Sequence, residues 1–305
     1  MATIWRFVDG KAGHERQTAG FINAIERIVD CQTYDVDARK IKKFAAYLSR
    51  EIDLAPHERP DLLIGAGSAC QSALLLSRRA YGGSAVYFMR PKFPTSWFDL
   101  CIIPRHDSPP IRDNIIRSEG VLNDCRPAAT KDDSLGIILV GGPSKHHRWD
   151  DEQLLAQIKE IIGHASERAP ALQYKLSTSR RTPAETARKL RTLTEVDFIS
   201  PEDAAADWLS QNLARATEAW VTADSISMMY EALSSGARLG VLATPIKRDD
   251  RIAGVATDLI RRGFAIDFGQ WQSNQRLLRS PTLQEADRVA QIVKERFALA
   301  SGTKP

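Results

Sequence analysis

Asp9-Gly10-Lys11-Ala12-Gly13-His14-Glu15 sets an imidazole five residues after a carboxylate, with two glycines between them. The segment follows an apolar, strand-like run and precedes a helical one, and the carboxyl end of a strand in an open α/β sheet is where ligands bind. His14 is the candidate general base: attack by a hydroxyl needs its proton removed, and an imidazole titrates near neutral pH. Gly10, Lys11 and Gly13 would shape the mouth of the same turn and touch the substrate. The plainer alternatives are a βα turn with a solvated lysine, a His14 that only packs, and catalysis by Asp9, by Asp107 or by phosphate contacts alone.

Five further strand ends carry polar residues. Gly65-Ala66-Gly67-Ser68-Ala69-Cys70 resembles a dinucleotide fingerprint, but its third glycine position is Cys70 and no acid for a ribose follows about twenty residues on, so close helix packing is the default. Pro104-Arg105-His106-Asp107 reads as a surface turn. Gly141-Gly142-Pro143-Ser144-Lys145-His146-His147-Arg148-Trp149 gathers backbone donors, a hydroxyl and basic side chains between an apolar strand and a helix capped by Asp150. That is the place of a diphosphate, with Gly142, Ser144, Lys145 and His146 as contacts. Adjacent histidines rarely point to one ion, so no metal is expected. Ser177-Thr178-Ser179-Arg180-Arg181-Thr182-Pro183 adds Ser179 and two arginines that could bridge phosphates or merely be solvated. Thr222-Ala223-Asp224-Ser225-Ile226-Ser227-Met228 starts a helix whose second turn holds Glu231. Thr222, Asp224, Ser225, Ser227 and Met228 would face phosphate while the Glu231 carboxylate accepts the ribose hydroxyls; the alternative is a capping cluster and an exposed glutamate.

Positioning these segments requires strands that alternate with helices. Strand-like runs fall at Ile4–Val8, Thr33–Val36, Asp61–Ile64, Ala85–Met89 and Asp99–Ile103, then at Leu135–Val140, Gln173–Ser177, Val196–Ile199, Ala219–Val221, Leu239–Leu242 and Phe264–Ile266. Helical runs between them predict parallel sheets covered on both faces. The Pro- and charge-rich passage Pro104–Asp133 reads as the linker, giving two Rossmann-like domains, 1–128 and 129–305, with parallel sheets facing a central cleft. The last helix, 283–299, is free to pack back on the N-terminal domain. Helix starts are expected at Thr182 with Glu185, at Ser200, and at Thr282 with Glu285.

The chain has 305 residues, 43% hydrophobic and 26% charged, with a net charge of +4. That is a globular protein large enough for two cores. Its mild positive charge suits anionic small molecules or an acidic membrane surface, and nucleic acid is not expected as a partner. Cys31, Cys70, Cys101 and Cys125 have neither zinc-ligand spacing nor a disulfide pattern. No signal-peptide pattern opens the chain, so the expected location is cytoplasmic. Arg90, Lys92, Phe93, Trp97 and Phe98 combine cationic and aromatic groups as peripheral membrane contacts do, although core packing explains the aromatics as well.

Asp9–His14, Gly141–Trp149, Thr178–Pro183 and Thr222–Leu233 resemble the motif strings of the mitochondrial-fission "elongated mitochondria" family in its bacterial form, along nearly the whole chain. That family's fold is similar to the GT-B glycosyltransferases. The first loop is similar to the Gly-rich, His-ending first loop of the peptidoglycan N-acetylglucosamine transferase. The resemblance implies an acceptor-binding N-terminal domain, a C-terminal domain that binds the nucleotide sugar, a terminal helix that crosses back, and chemistry without a divalent metal. Pro143 and the basic residues after it depart from the small residues of that transferase's phosphate loop. The expected function is metal-independent glycosyl transfer from a nucleotide-activated sugar, a substrate rather than a cofactor, to a lipid- or polysaccharide-linked envelope acceptor, with the protein cytoplasmic or peripheral at the inner membrane. The alternatives are a nucleotide-sugar epimerase of the same build and a non-catalytic nucleotide-sugar-binding or membrane-associated adaptor.

Overall fold

The computed structural model describes residues 1–41, 58–279 and 281–300. Its strands are β1 (Ala2–Val8), β2 (Cys31–Asp37), β3 (Leu62–Ala66), β4 (Ser84–Phe88), β5 (Leu100–Pro104), β6 (Ile115–Ser118), β7 (Asp132–Val140), β8 (Gln173–Thr178), β9 (Val196–Ile199), β10 (Ala216–Thr222), β11 (Arg238–Leu242) and β12 (Ala265–Asp267). The described α-helices are α1 (Ala12–Ile25), α2 (Ser68–Tyr81), α3 (Asp151–Arg168), α4 (Ala184–Arg191), α5 (Trp208–Arg215), α6 (Ile226–Ser235), α7 (Gly254–Arg261), α8 (Phe268–Asn274) and α9 (Glu285–Arg296). Two compact units result: Met1–Asp124 with the segment from Gln284 onward, and Cys125–Leu283.

The first unit holds a six-stranded parallel sheet in the order β2-β1-β3-β4-β5-β6. Both of its faces are covered, so strand runs such as Leu62-Leu63-Ile64 are buried without alternation. On one face Ile4, Ile64, Val86 and Ile102 pack with Phe21 and Ile25 of α1. Val289, Ala290 and Val293 of α9 complete that cluster, so the end of the chain supplies part of the core of its beginning. Asp287 pairs with Arg27, and Glu285 Oε2 accepts from the Glu119 N–H at 2.8 Å.

β6 lies inside the passage expected to be a linker. Ile115 pairs with Cys101 and Ile116 with Ile102, which makes β6 the edge strand of the first sheet. Its two apolar residues are followed by Arg117, too short a run to stand out against the charges around it. Met89, expected to continue β4, instead has φ +83°, and the strand stops at Phe88.

The second unit holds another six-stranded parallel sheet, β9-β8-β7-β10-β11-β12, the strand order of a dinucleotide-binding Rossmann domain. Its core gathers Ile138, Val140, Leu176 and Trp220 beneath Leu154, Ile158 and Ile161 of α3. The Asp150 side chain accepts from the Gln153 N–H at 3.0 Å and caps α3 as expected.

The other expected caps differ. α4 starts after Pro183, with Thr182 turned elsewhere, and α9 starts after Gln284 with no side-chain cap. Ser200 holds only a turn, its Oγ 3.3 Å from the Asp203 N–H, while the next helix, α5, begins at Trp208. A Ser or Thr hydroxyl caps a helix only when no nearer partner competes for it.

Candidate functional site

A parallel sheet has its ligand crevice where strand order reverses, outside the carboxyl ends of the two strands that flank the reversal. In the first sheet those strands are β1 and β3. The turn after β1 carries Asp9 and His14, and the turn after β3 carries Gly67. The Asp9 side chain is 1% exposed and its Oδ2 lies 2.9 Å from His14 Nδ1. A carboxylate only accepts, so Nδ1 carries the hydrogen and Nε2 is left as the acceptor nitrogen. Lys11 N–H donates to the other Asp9 oxygen at 3.2 Å. The Gly10 N–H donates to Glu15 Oε1 at 2.8 Å, which ties the turn to the first turn of α1.

Gly67 makes room for this pair. Its φ is +85°, and an added Cβ would drive into the His14 ring and come within 2.9 Å of Asp9 Oδ2. The Gly65-Ala66-Gly67 turn thus seats the imidazole, where sequence suggested only close helix packing. Of the two glycines in the first turn, only Gly10 has positive φ, at +79°, with Arg39 Nη1 2.8 Å from where a Cβ would sit. Gly13 has open space around it inside α1. Lys11 is exposed beside it.

In the second sheet the order reverses between β7 and β10. Here the structure changes the expected division of labour. The Gly141 N–H donates to Thr222 Oγ1 at 2.8 Å and the Gly142 N–H to Asp224 Oδ2 at 3.0 Å, so both backbone donors are already engaged. Arg181 is engaged too: it donates to Asp224 Oδ2 and to the Gly142 carbonyl, each at 2.9 Å. The Thr182 hydroxyl faces the carbonyls of Val140, at 3.1 Å, and Gly141. Ser179 Oγ accepts from the Arg181 N–H at 3.1 Å. Side chains at Gly141 and Gly142 would collide with Asp224 and with the Arg181 carbonyl. The three strand-end segments are therefore laced together around Asp224, and of the two arginines, both exposed, Arg180 is the one without such a partner among the described residues.

The rest of the basic loop folds on itself. Ser144 Oγ accepts from the N–H groups of His146 and His147, both at 3.1 Å. His146 Nδ1 sits 2.8 Å from Asp250 Oδ2, and its carbonyl accepts from the Lys247 N–H at 2.8 Å. His147 is 2% exposed, and neither ring nitrogen has a hydrogen-bond partner among the described residues. Burial lowers its pKa, against the attraction of Asp224. Lys145 and Arg148 are exposed. The adjacent histidines serve different ends, one held at the surface by Asp250 and one buried. Among the described residues no three His, Cys, Asp or Glu side chains gather around one point.

α6 begins beside this knot with Ser225 as its N-cap residue, and no side-chain cap closes it. The first helical bond runs from the Met229 N–H to the Ser225 carbonyl, so the amides before it point outward at the positive end of the helix. Ser227 is exposed and Met228 half-buried there. Glu231 is 3% exposed, which rules out a solvated surface glutamate. The arrangement offers an anion the start of α6 rather than the Gly141–Gly142 amides. The roles of Asp224, Arg181 and Thr182 as anchors, and of Asp250 as the holder of His146, escaped the sequence reading; a glycine pair next to a strand end and an acid after the next central strand was the available signal.

Of the aromatic and cationic group proposed for a surface contact, Phe98 is buried against Tyr87, with ring centroids 5.1 Å apart. Trp97 remains 51% exposed and stacks at 5.3 Å on Phe93. No helix among the described residues is long and apolar enough to cross a membrane.

Solved structures of similar fold include a putative UDP-N-acetylglucosamine 2-epimerase from Listeria monocytogenes, at TM-score 0.62 and 11% identity over 98% of this chain and 97% of that one. The UDP-GlcNAc 2-epimerase of Methanocaldococcus jannaschii aligns at TM-score 0.55 and 13% identity, and the MurG of Acinetobacter baumannii at 0.54 and 11%, each over 97% of this chain and 100% of the other. These show a GT-B fold of two Rossmann-like α/β domains. No curated protein matches in sequence. The Mitochondrial fission ELM1 family matches residues 12–297, a range that takes in His14 and every motif of the second sheet, so the chain belongs to that family.

Proposed function

We propose that the chain transfers a glycosyl group from a nucleotide-activated sugar to a hydroxyl of a lipid- or polysaccharide-linked envelope acceptor, without a metal ion. The observation that carries this reading is the Asp9–His14 pair seated on Gly67 at the reversal of the first sheet. In the transfer the acceptor oxygen bonds to the anomeric carbon as the bond from that carbon to the phosphate oxygen breaks. The acceptor proton passes to His14 Nε2, and Asp9 fixes the tautomer and stabilises the imidazolium that forms. The nucleotide leaves with one more negative charge. The uncapped start of α6, with Ser225, Ser227 and the amides up to Met228, stabilises it, and Glu231 accepts from the ribose.

A panel of nucleotide sugars tests the reading, led by UDP-GlcNAc because structural relatives are UDP-GlcNAc 2-epimerases. Incubation with and without a membrane fraction as acceptor separates the outcomes. Nucleotide release that requires the membrane fraction, with label moving into it, supports transfer. An isomerised donor formed without acceptor identifies an epimerase, and saturable binding without turnover an adaptor.

A further inference from the structure

The second unit contains a cavity of about 510 Å³ away from the loops described above. Tyr174, Glu218 and Arg238, which line it, lie at the beginnings of β8, β10 and β11, whereas the Asp224 knot lies at the ends of parallel strands of the same sheet. Glu218 and Thr222 are four residues apart on β10, about 13 Å along an extended strand. The cavity is a separate place, not an extension of the nucleotide site.

Its walls carry four guanidinium groups, Arg168, Arg238, Arg276 and Arg279, against one carboxylate, Glu218. That carboxylate is committed: it accepts from the Tyr174 hydroxyl at 2.5 Å and lies 3.6 Å from Arg238. Arg168, Arg276 and Arg279 have no ion pair or hydrogen bond among the described residues. Three unpaired cations on one concavity repel one another, and an anion bound between them removes that repulsion. The arginine fork matches phosphate oxygens in pairs.

The floor is apolar. Trp271 is buried, its ring 5.2 Å from Trp220 and 5.6 Å from Phe268, and Leu277 is buried beside it. Leu278 on the rim is 61% exposed. A bare phosphate would leave this surface wet, whereas a ligand with an apolar body covers it.

We propose that this cavity binds a phosphate-bearing amphiphile, its headgroup held by Arg168, Arg276 and Arg279 and its apolar body against Trp271, Leu277 and Leu278. The source is a membrane lipid or a soluble phosphorylated compound, and the test separates them.

Calorimetric titration of the full chain uses monomeric dihexanoyl phosphatidic acid and inorganic phosphate, and flotation uses vesicles of phosphatidylglycerol or of phosphatidylcholine alone. The phosphatidic acid binds at least about tenfold more tightly than phosphate, and the triple variant Arg168→Glu, Arg276→Glu, Arg279→Glu weakens it by at least about tenfold while melting as the wild type does. Leu278→Ser, at an exposed position, weakens the amphiphile without adding charge and leaves phosphate unchanged, which keeps the test valid should the triple variant fold poorly. Flotation with phosphatidylglycerol but not phosphatidylcholine supports the proposal with a lipid as source; monomer binding without flotation supports it with a soluble one. The proposal is overturned by no saturable binding below about 1 mM, by equal affinity for phosphate, or by variants that bind as the wild type does.

Discussion

At the scale of single residues, Gly67 and His147 do what their neighbours cannot. Gly67→Ala forces a Cβ into a left-handed backbone position and into the imidazole of His14. It is expected to cost about 1–3 kcal/mol of stability and to displace the ring from Asp9. Histidine proton shifts should lose the signal of an Nδ1–H bonded to a carboxylate; an unchanged signal in a folded variant contradicts the seating. His147 is pushed below the ordinary histidine pKa mainly by burial. Above the unfolded value, about 6.5, it is neutral in both states and costs nothing. As the pH falls below that value the unfolded chain gains a proton that the folded chain resists, so stability drops by at most about 1.4 kcal/mol per pH unit until the folded pKa is reached. Denaturant midpoints of wild type and His147→Phe between pH 7 and 5 check this: the variant should show the shallower slope, and parallel slopes would refute the assignment.

At the scale of elements, the expected strand ends were legible because buried parallel strands are short unbroken apolar runs, and Val140 or Thr222 marks where each run meets polar residues. What the hydroxyls and charges do next was not legible. Thr182 next to Pro183 has the sequence of a cap, yet its hydroxyl meets the Val140 and Gly141 carbonyls, partners more than forty residues away. Asp224 and Arg181, read as ligand contacts, bind each other and the glycine loop. Such choices depend on which loops a sheet brings together, and local spacing carries no trace of that. Replacing Thr182 by Val removes the strap and leaves buried carbonyls short of a donor, at a cost of about 1–3 kcal/mol. Thermal denaturation measures it, and a variant as stable as wild type would mean that the strap is dispensable.

At the scale of the molecule, the strand order in each sheet reverses where the sequence placed a candidate motif, after β1 and after β7. α9 joins the ends of the chain in one core, and Val289 and Val293 are fully buried in it. Changing both to Ala removes about four methyl groups and is expected to destabilise the first unit by about 3 kcal/mol, with little effect on the second. Hydrogen exchange resolves the two: faster exchange in β1 and β3 with β7 and β10 unchanged is the expected pattern, and equal acceleration in both sheets would contradict it.

The proposed chemistry is divided, with proton removal at His14 and nucleotide binding at α6. The most direct test measures donor affinity and turnover together for His14→Ala and Glu231→Gln, using whichever nucleotide sugar the panel identifies. His14→Ala should keep its donor affinity and lose roughly 100-fold in turnover. Glu231→Gln, shown to be folded, should lose about 1–3 kcal/mol of donor affinity. Turnover in His14→Ala within a few-fold of wild type, or a donor affinity indifferent to Glu231, would contradict it.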